Sequence, residues 1–183
     1  MLRLFTGIAL PILLRQRLSL LGDSGNMSGI AGAKWVERDN LHLTLTFIGE
    51  INEAVAEDID EALESIRAPR FSLKLQGTGS FATRGEPSTL WAGVANNPPL
   101  HHLKDKIDRS LQKYGFAFDK RKYAPHVTLA RLKNVDATKI AGFMQQHNLF
   151  STEEFEIDEF TLFRSHLTKH GPAYEALKGY PLT

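Results

Sequence analysis

The 183-residue sequence has no cysteine, which rules out disulfides, thiolate nucleophiles and cysteine-ligated zinc. That absence fits a reducing, cytosolic setting. No apolar run approaches the ~20 residues needed to cross a bilayer, so no membrane partner is expected. Nor does one sign of charge dominate. With 22 Lys and Arg against 21 Asp and Glu, the formal net charge is +1, too balanced for a surface that coats nucleic acid broadly. A small or end-on anionic ligand remains compatible with it. Arg3 and the apolar stretch from Leu4 to Leu14 have the outline of a secretory leader, but Pro11 splits the run and Arg15 and Arg17 follow it. The rest is an ordinary globular composition, 42% hydrophobic and 23% charged. A chain of this length can bury roughly 70% of its unfolded surface.

Two short segments share a spelling. Asn40-Leu41-His42-Leu43-Thr44-Leu45 is echoed by Ala124-Pro125-His126-Val127-Thr128-Leu129. Each alternates polar and aliphatic residues, so in a strand the histidine and threonine share one face and the aliphatics the other. A sheet built this way can serve chemistry and core together.

Their surroundings repeat as well. Phe5 to Ala9 matches Trp91 to Ala95 at an offset of 86, while His42 matches His126 and Phe71 matches Phe155 at 84. The repeated unit reads strand, helix, His-x-Thr strand, helix, strand. In the first copy, Arg3 to Leu10 is a strand, Pro11 opens a helix to about Leu21, and Gly22 to Gly32 is a loop with Lys34 just beyond it. After the His42 strand, Asn52 caps an amphipathic helix to Ile66, and Phe71 to Leu75 alternates as a strand. Gly77 to Pro87 contains a turn, and Thr89 to Ala95 starts the second copy. There Pro98 and Pro99 open a helix to about Tyr114, Asp136 to Asn148 forms another after the His126 strand, and Phe155 to Phe163 alternates. Gly171-Pro172 turns into a last strand near Ala173 to Leu177. The expectation is one bilobal α+β domain over 1–183, with repeats at approximately 3–81 and 89–167 and a C-terminal strand within 173–183. Each lobe is a mostly antiparallel sheet with helices on its outer face. The lobes are related by a pseudo-two-fold axis, and the active-site cleft lies between the sheets, a common place for a ligand.

Across such an axis the two histidines face each other. With an ordinary pKa near 6.5, a pair in one cleft can hold one neutral and one protonated ring, a base and an acid. In-line displacement at phosphorus needs both functions on opposite sides of the atom. Thr44 and Thr128 can hydrogen-bond the non-bridging oxygens where charge develops. This scheme requires neither a metal nor another cofactor.

At these residues the chain resembles the two-histidine phosphoesterase superfamily, in particular its bacterial and archaeal RNA 2',3'-cyclic phosphodiesterases, also called 2'-5' RNA ligase-like proteins. The first His-x-Thr segment continues into Phe47-Ile48-Gly49-Glu50 and the second into Ala130-Arg131. Leu4 to Pro11 and Leu162-Phe163-Arg164-Ser165 are similar to family features too. The resemblance implies hydrolysis of a 2',3'-cyclic phosphate on an RNA end or small nucleotide to a 2'-phosphomonoester. It makes His42 the proton donor to the leaving 3' oxygen, His126 the base that activates water, and Arg131 a phosphate contact. It leaves the oligomeric state open. Strand parity opposes the last assignment: Arg131 is five residues from His126 and points to the other face unless a bulge or the strand's end turns it. The alternatives are a 2',5'-phosphodiesterase or ligase, another cyclic-phosphate hydrolase of the superfamily, or an RNA-end-binding module without turnover.

Other features have plainer readings. Thr44 and Thr128 are also good strand formers, and Thr46 is read as that alone. His101 and His102 are adjacent and cannot face the same way. His166 and His170 have metal-like spacing without a helix to present it. Lys120-Arg121-Lys122 is a solvated turn, or else an attraction for an RNA backbone. Trp91, Phe5 and Phe47 are expected to fill cores rather than stack on bases.

Overall fold

The structure, a computed structural model, describes residues 1–23, 30–117, 122–169 and 171–183. The middle of the expected 22–32 loop, Lys120-Arg121 and His170 lie outside the described residues. Ten strands and four α-helices occur among the described residues. They are β1 (Leu2–Ala9), α1 (Ile12–Asp23), β2 (Ala33–Trp35), β3 (His42–Ile51), α2 (Ala56–Glu64), β4 (Phe71–Leu73), β5 (Leu75–Thr83), β6 (Glu86–Val94), α3 (Pro98–Lys113), β7 (His126–Leu132), α4 (Ala137–Gln146), β8 (Phe155–Ile157), β9 (Glu159–Thr168) and β10 (Gly171–Pro181).

The helix starts follow local chemistry. The Asn97 side chain accepts from Leu100 N–H at 3.0 Å ahead of the two prolines of α3, and Asp136 accepts from Thr138 N–H at 2.9 Å ahead of α4. Each satisfies a backbone donor that the helix cannot. Asn52 caps as expected, by accepting from Ala54 N–H at 3.2 Å, but a 3-10 turn at Glu53–Val55 precedes α2.

Several strand limits differ from the sequence reading, and the pairing explains why. Phe71 to Leu75 breaks at Lys74 because Phe71 and Leu73 pair with β8, whereas Leu75 begins the pairing with β6. The Phe155 to Phe163 segment breaks at Asp158 in the same way. The turn expected in 77–87 is confined to Arg84-Gly85, both at positive φ (54° and 86°), so β5 and β6 form a long hairpin. The final strand runs to Pro181, and the short β2 appears beside β7 because its partners Leu132 to Ala130 lie far away in sequence.

Every strand pairing is antiparallel. The main sheet runs β10-β9-β1-β3-β7-β6-β5, with β2 also on β7, and β4 and β8 form a separate ribbon. The two expected sheets are therefore joined into one, at a single residue pair, Leu43 with Val127. Each half-sheet also mixes the sequence repeats: β5 from the first copy pairs with β6, and β9 from the second pairs with β1. The helices exchange similarly, with α1 against β7 and α3 against β3. A continuous core under the sheet unites Leu4, Ile8, Leu43 and Val127 with Ile59, Leu103, Ile107 and Phe143 of the helices. No helix among the described residues is long and apolar enough to cross a membrane.

Leu43 is fully buried at the only pair joining β3 to β7. Leu43→Ala is expected to cost about 2–5 kcal/mol of unfolding free energy, measured by urea denaturation.

Candidate active site

The single Leu43–Val127 pair orients the site. Both side chains are wholly buried in the core, so their strand neighbours project to the opposite face. His42, Thr44, His126 and Thr128 accordingly line one cavity of about 340 Å³, together with Arg131, Lys34, Asn40, Phe47, Phe81 and Tyr174. Antiparallel register about that pair sets Thr44 toward His126 at one end and His42 toward Thr128 at the other.

Arg131 shares this face, and a bulge is the reason. Leu90 pairs with Ala130 and the next residue, Trp91, with Thr128, leaving Leu129 as an extra residue on β7. Leu129 and Ala130 are then buried in succession and Arg131 emerges into the cleft. The same device occurs on β3, where Thr6 pairs with Thr46 and Gly7 with Thr44. Leu45 and Thr46 are buried, and Phe47 emerges with 66% of its surface exposed. This corrects the expectation that Phe47 fills a core. Phe5 does, at 2% exposure, while Trp91 is partly buried. The signal for Phe47 was present in the 84-residue offset, which superposes it on Arg131.

Along the sequence Lys34 is merely a neighbour of the 22–32 loop. In the fold it pairs directly with Arg131 across β2 and β7, and both line the cavity. Like charges directly opposite on a sheet repel. Neither has an ion-pair partner among the described residues, so together they offer a cationic end to an anion. His101 and His166 do not line the cavity: His101 packs edge-on to Tyr123, and His166 pairs with Glu175 at 2.8 Å.

The two imidazoles are held alike. His42 Nδ1 lies 2.7 Å from the Asn40 carbonyl and His126 Nδ1 2.7 Å from the Ala124 carbonyl. A carbonyl only accepts, so each Nδ1 carries the proton and each Nε2 is the working atom. Asn40 is itself braced, donating to the Pro172 carbonyl at 2.8 Å and accepting from Tyr174 N–H at 3.2 Å. Tyr174 sets its ring edge-on to His42, and Phe81 does so to His126, both at 4.8 Å.

Burial lowers the His42 pKa to about 4, against the opposing pull of the Asn40 carbonyl and with further lowering by Arg131 and His126. Burial also lowers that of His126; the Ala124 carbonyl opposes this and Arg131 adds to it. Both rings are thus neutral at pH 7 in the free protein, unlike the expected neutral and protonated pair. In this state the Thr44 hydroxyl donates to His42 Nε2 at 3.0 Å.

Residues outside the cavity support β3. Tyr123 donates its hydroxyl to the Thr44 carbonyl at 2.8 Å, tying the second half of the chain to the first. Burial, then the Asp108 charge, pushes the Tyr123 phenol well above its ordinary range. Asp108 accepts from the buried Thr46 hydroxyl at 2.6 Å and from Lys104. Thr46 is therefore a structural anchor at the bulge rather than a cleft residue.

Two outcomes are expected. Tyr123→Phe leaves the Thr44 carbonyl without this donor and should lower the unfolding free energy by about 1–3 kcal/mol in urea denaturation. The second concerns pH. Between the folded pKa of about 4 for His42 and its unfolded value of roughly 6.5, the unfolded chain binds a proton that the folded chain does not. The His42 contribution to stability therefore rises with pH across that window, by at most roughly 3 kcal/mol. Urea denaturation at pH 4 to 7 should show His42→Asn losing correspondingly less stability on acidification than the wild type. Parallel pH curves for the two would refute the assignment.

Comparison with known proteins agrees with this layout. A family model described as the 2'-5' RNA ligase superfamily matches residues 27–169. A protein of Aeropyrum pernix named RNA 2',3'-cyclic phosphodiesterase is 37% identical over 163 residues, covering 88% of this chain and 92% of its own length. One of the same name from Archaeoglobus fulgidus is 32% identical over 177 residues, covering 97% and 98%. Among solved structures, E. coli LigT complexed with 3'-AMP superposes with a TM-score of 0.80 at 25% identity, covering 100% of this chain and 98% of LigT. A protein of Thermus thermophilus, TT0787, does so at 0.78 and 25%, covering 98% and 97%. The family match spans most of the sequence, and the curated relatives are similar along nearly its whole length; the chain belongs to the 2'-5' RNA ligase superfamily.

Proposed function

We propose that this protein hydrolyses 2',3'-cyclic phosphates on RNA ends or nucleotides to 2'-phosphomonoesters, with His42 and His126 as a paired acid and base. The observation that carries the reading is the double His-x-Thr cavity, with two Nδ1-anchored imidazoles, two threonines and Arg131 on one face. The names of the archaeal relatives support the substrate class.

In this mechanism His126 Nε2 takes a proton from a water as its oxygen attacks phosphorus. Negative charge grows on the two non-bridging oxygens, where Arg131 and the Thr44 and Thr128 hydroxyls stabilise it. The bond from phosphorus to O3' breaks, His42 Nε2 delivers its proton to O3', and the phosphate stays on O2'. Water has been added across one ester bond, and the proton held by His126 returns through solvent to reset the pair.

His42 needs a proton that the free site does not hold at pH 7. An anionic phosphodiester supplies the missing attraction, because a negative charge beside a buried imidazole favours imidazolium. Substrate thus charges its own acid. Once Nε2 is protonated, the Thr44 hydroxyl no longer donates to it and is free to turn to a phosphoryl oxygen.

The test is product analysis on an RNA bearing a 2',3'-cyclic end, with and without EDTA. A 2'-phosphate product that persists under EDTA is expected. His42→Ala and His126→Ala should each lower kcat by about 100-fold or more, the usual scale of general acid–base catalysis, with unchanged circular dichroism. Full activity in both variants would end the proposal. A 3'-phosphate product would reassign the bond broken, and binding without product would leave an RNA-end-binding module.

A further inference from the structure

The ionisable side chains that line the cavity are Lys34, Glu37, His42, His126 and Arg131. Hydrolysis employs three of them: the imidazoles move protons and Arg131 faces the reacting phosphate. Lys34 and Glu37 are left without a task. Among the described residues neither is engaged in an ion pair, with the other or with anything else.

The fold directs Lys34 into the cleft. Its neighbour on β2, Trp35, packs its ring against Gly22 of α1 and 5.8 Å from the Phe143 ring of α4, centre to centre. The pleat therefore turns Lys34 the other way. β2 lies on the edge of β7 that β3 leaves free beyond the Leu43–Val127 pair, which sets Lys34 directly across from Arg131. Lys34 Nζ comes 3.0 Å from the point where a Cβ on Gly171 would stand. Gly171 has a φ of 127°, a backbone conformation that favours glycine. The ammonium thus meets bare backbone at the start of β10 and stays open to a ligand.

The reacting phosphate does not call for a second cation. A cyclic phosphodiester carries one negative charge, and Arg131 with the imidazolium of His42 already exceeds it. Two cations directly opposite on a sheet repel, and a second anion relieves that repulsion. The chemistry of ribose says which anion reaches this place. In a nucleoside 2',3'-cyclic phosphate, C3' is bonded to C4', which carries C5' and the 5' oxygen. With O3' at His42 Nε2, the 5' oxygen extends past the His42 end of the cleft. Antiparallel register from Leu43–Val127 puts Arg131, and Lys34 opposite it, at that same end.

We propose that Lys34 binds the phosphodiester on the 5' side of the terminal nucleotide, the last internal linkage of an RNA, while Arg131 holds the cyclic phosphate. This rests on the hydrolytic reading and narrows its substrate class to RNA ends and 5'-phosphorylated nucleotides, over cyclic mononucleotides with a free 5' hydroxyl. A contact to phosphate positions the strand and carries no base information, so the preference is blind to sequence.

The experiment compares adenosine 2',3'-cyclic phosphate with its 5'-(methyl phosphate) diester, which adds the single negative charge of an upstream linkage and no second base. Both are assayed with wild type, Lys34→Met, which keeps the aliphatic stem without the charge, and Lys34→Arg. The expected result is a wild-type kcat/KM preference for the diester that shrinks by roughly 5- to 50-fold in Lys34→Met, between an exposed ion pair and a hydrogen bond to a charged group. The preference returns in Lys34→Arg, and kcat/KM for the plain cyclic phosphate is unchanged throughout. No wild-type preference, a preference unchanged in Lys34→Met, or a loss shared equally by both substrates overturns the proposal. If the wild type turns over neither substrate, the hydrolytic reading falls and binding decides the role of Lys34. Adenosine 2'-phosphate 5'-(methyl phosphate) must then bind more weakly to Lys34→Met than to wild type, while adenosine 2'-monophosphate binds both alike; any other pattern overturns it.

Discussion

The contact on which the site depends is the lone backbone pairing of Leu43 with Val127. It joins two half-sheets that otherwise diverge, and the burial of its two side chains leaves four flanking residues no choice of face. Had the strands paired along their whole length, the sheet would be continuous and flatter, with no cleft over the junction. Had they not paired, nothing would hold the two His-x-Thr segments in register. Tyr123 and the exchanged strands β5 and β9 secure the same junction from further away. Each half of the fold is therefore completed by the other half of the sequence.

Duplication and its breaking divide the labour of the cleft. The duplicated parts, histidine on a carbonyl and threonine two residues on, are what a symmetric displacement at phosphorus requires on both sides of the atom. The unduplicated parts are Phe47 against Arg131, with Lys34 beside the latter. Matching bulges bring both to the surface, so one backbone irregularity used twice delivers opposite chemistries to the two ends.

The electrostatics of the free site oppose charge on either imidazole, because burial and Arg131 both favour the neutral rings. That is the reverse of what a general acid needs, and it makes the ligand part of the machinery. An anion between the rings offsets the repulsion of Lys34 and Arg131 and favours the imidazolium together. A neutral ligand of the same shape would do neither.

The alternation that puts each histidine and threonine on one face, the repeat, the helix caps and the family resemblance could all be read along the chain, because strand pleat and capping are local properties of the backbone. The direction of Arg131 could not. Parity counted from His126 points it away, and only the slip of β7 against β6 reverses the count. The direction of Phe47 depends likewise on the slip of β3 against β1. The neutrality of His42 depends on rings from Phe5 and Tyr174, which only folding brings together, and Lys34 meets Arg131 only through a three-residue strand. Sequence alone determined which residues share a face and which chemistry they can perform. Tertiary structure decided which way the bulged positions point and what charge the histidines carry, because pairing register and desolvation are set by neighbours distant in the chain.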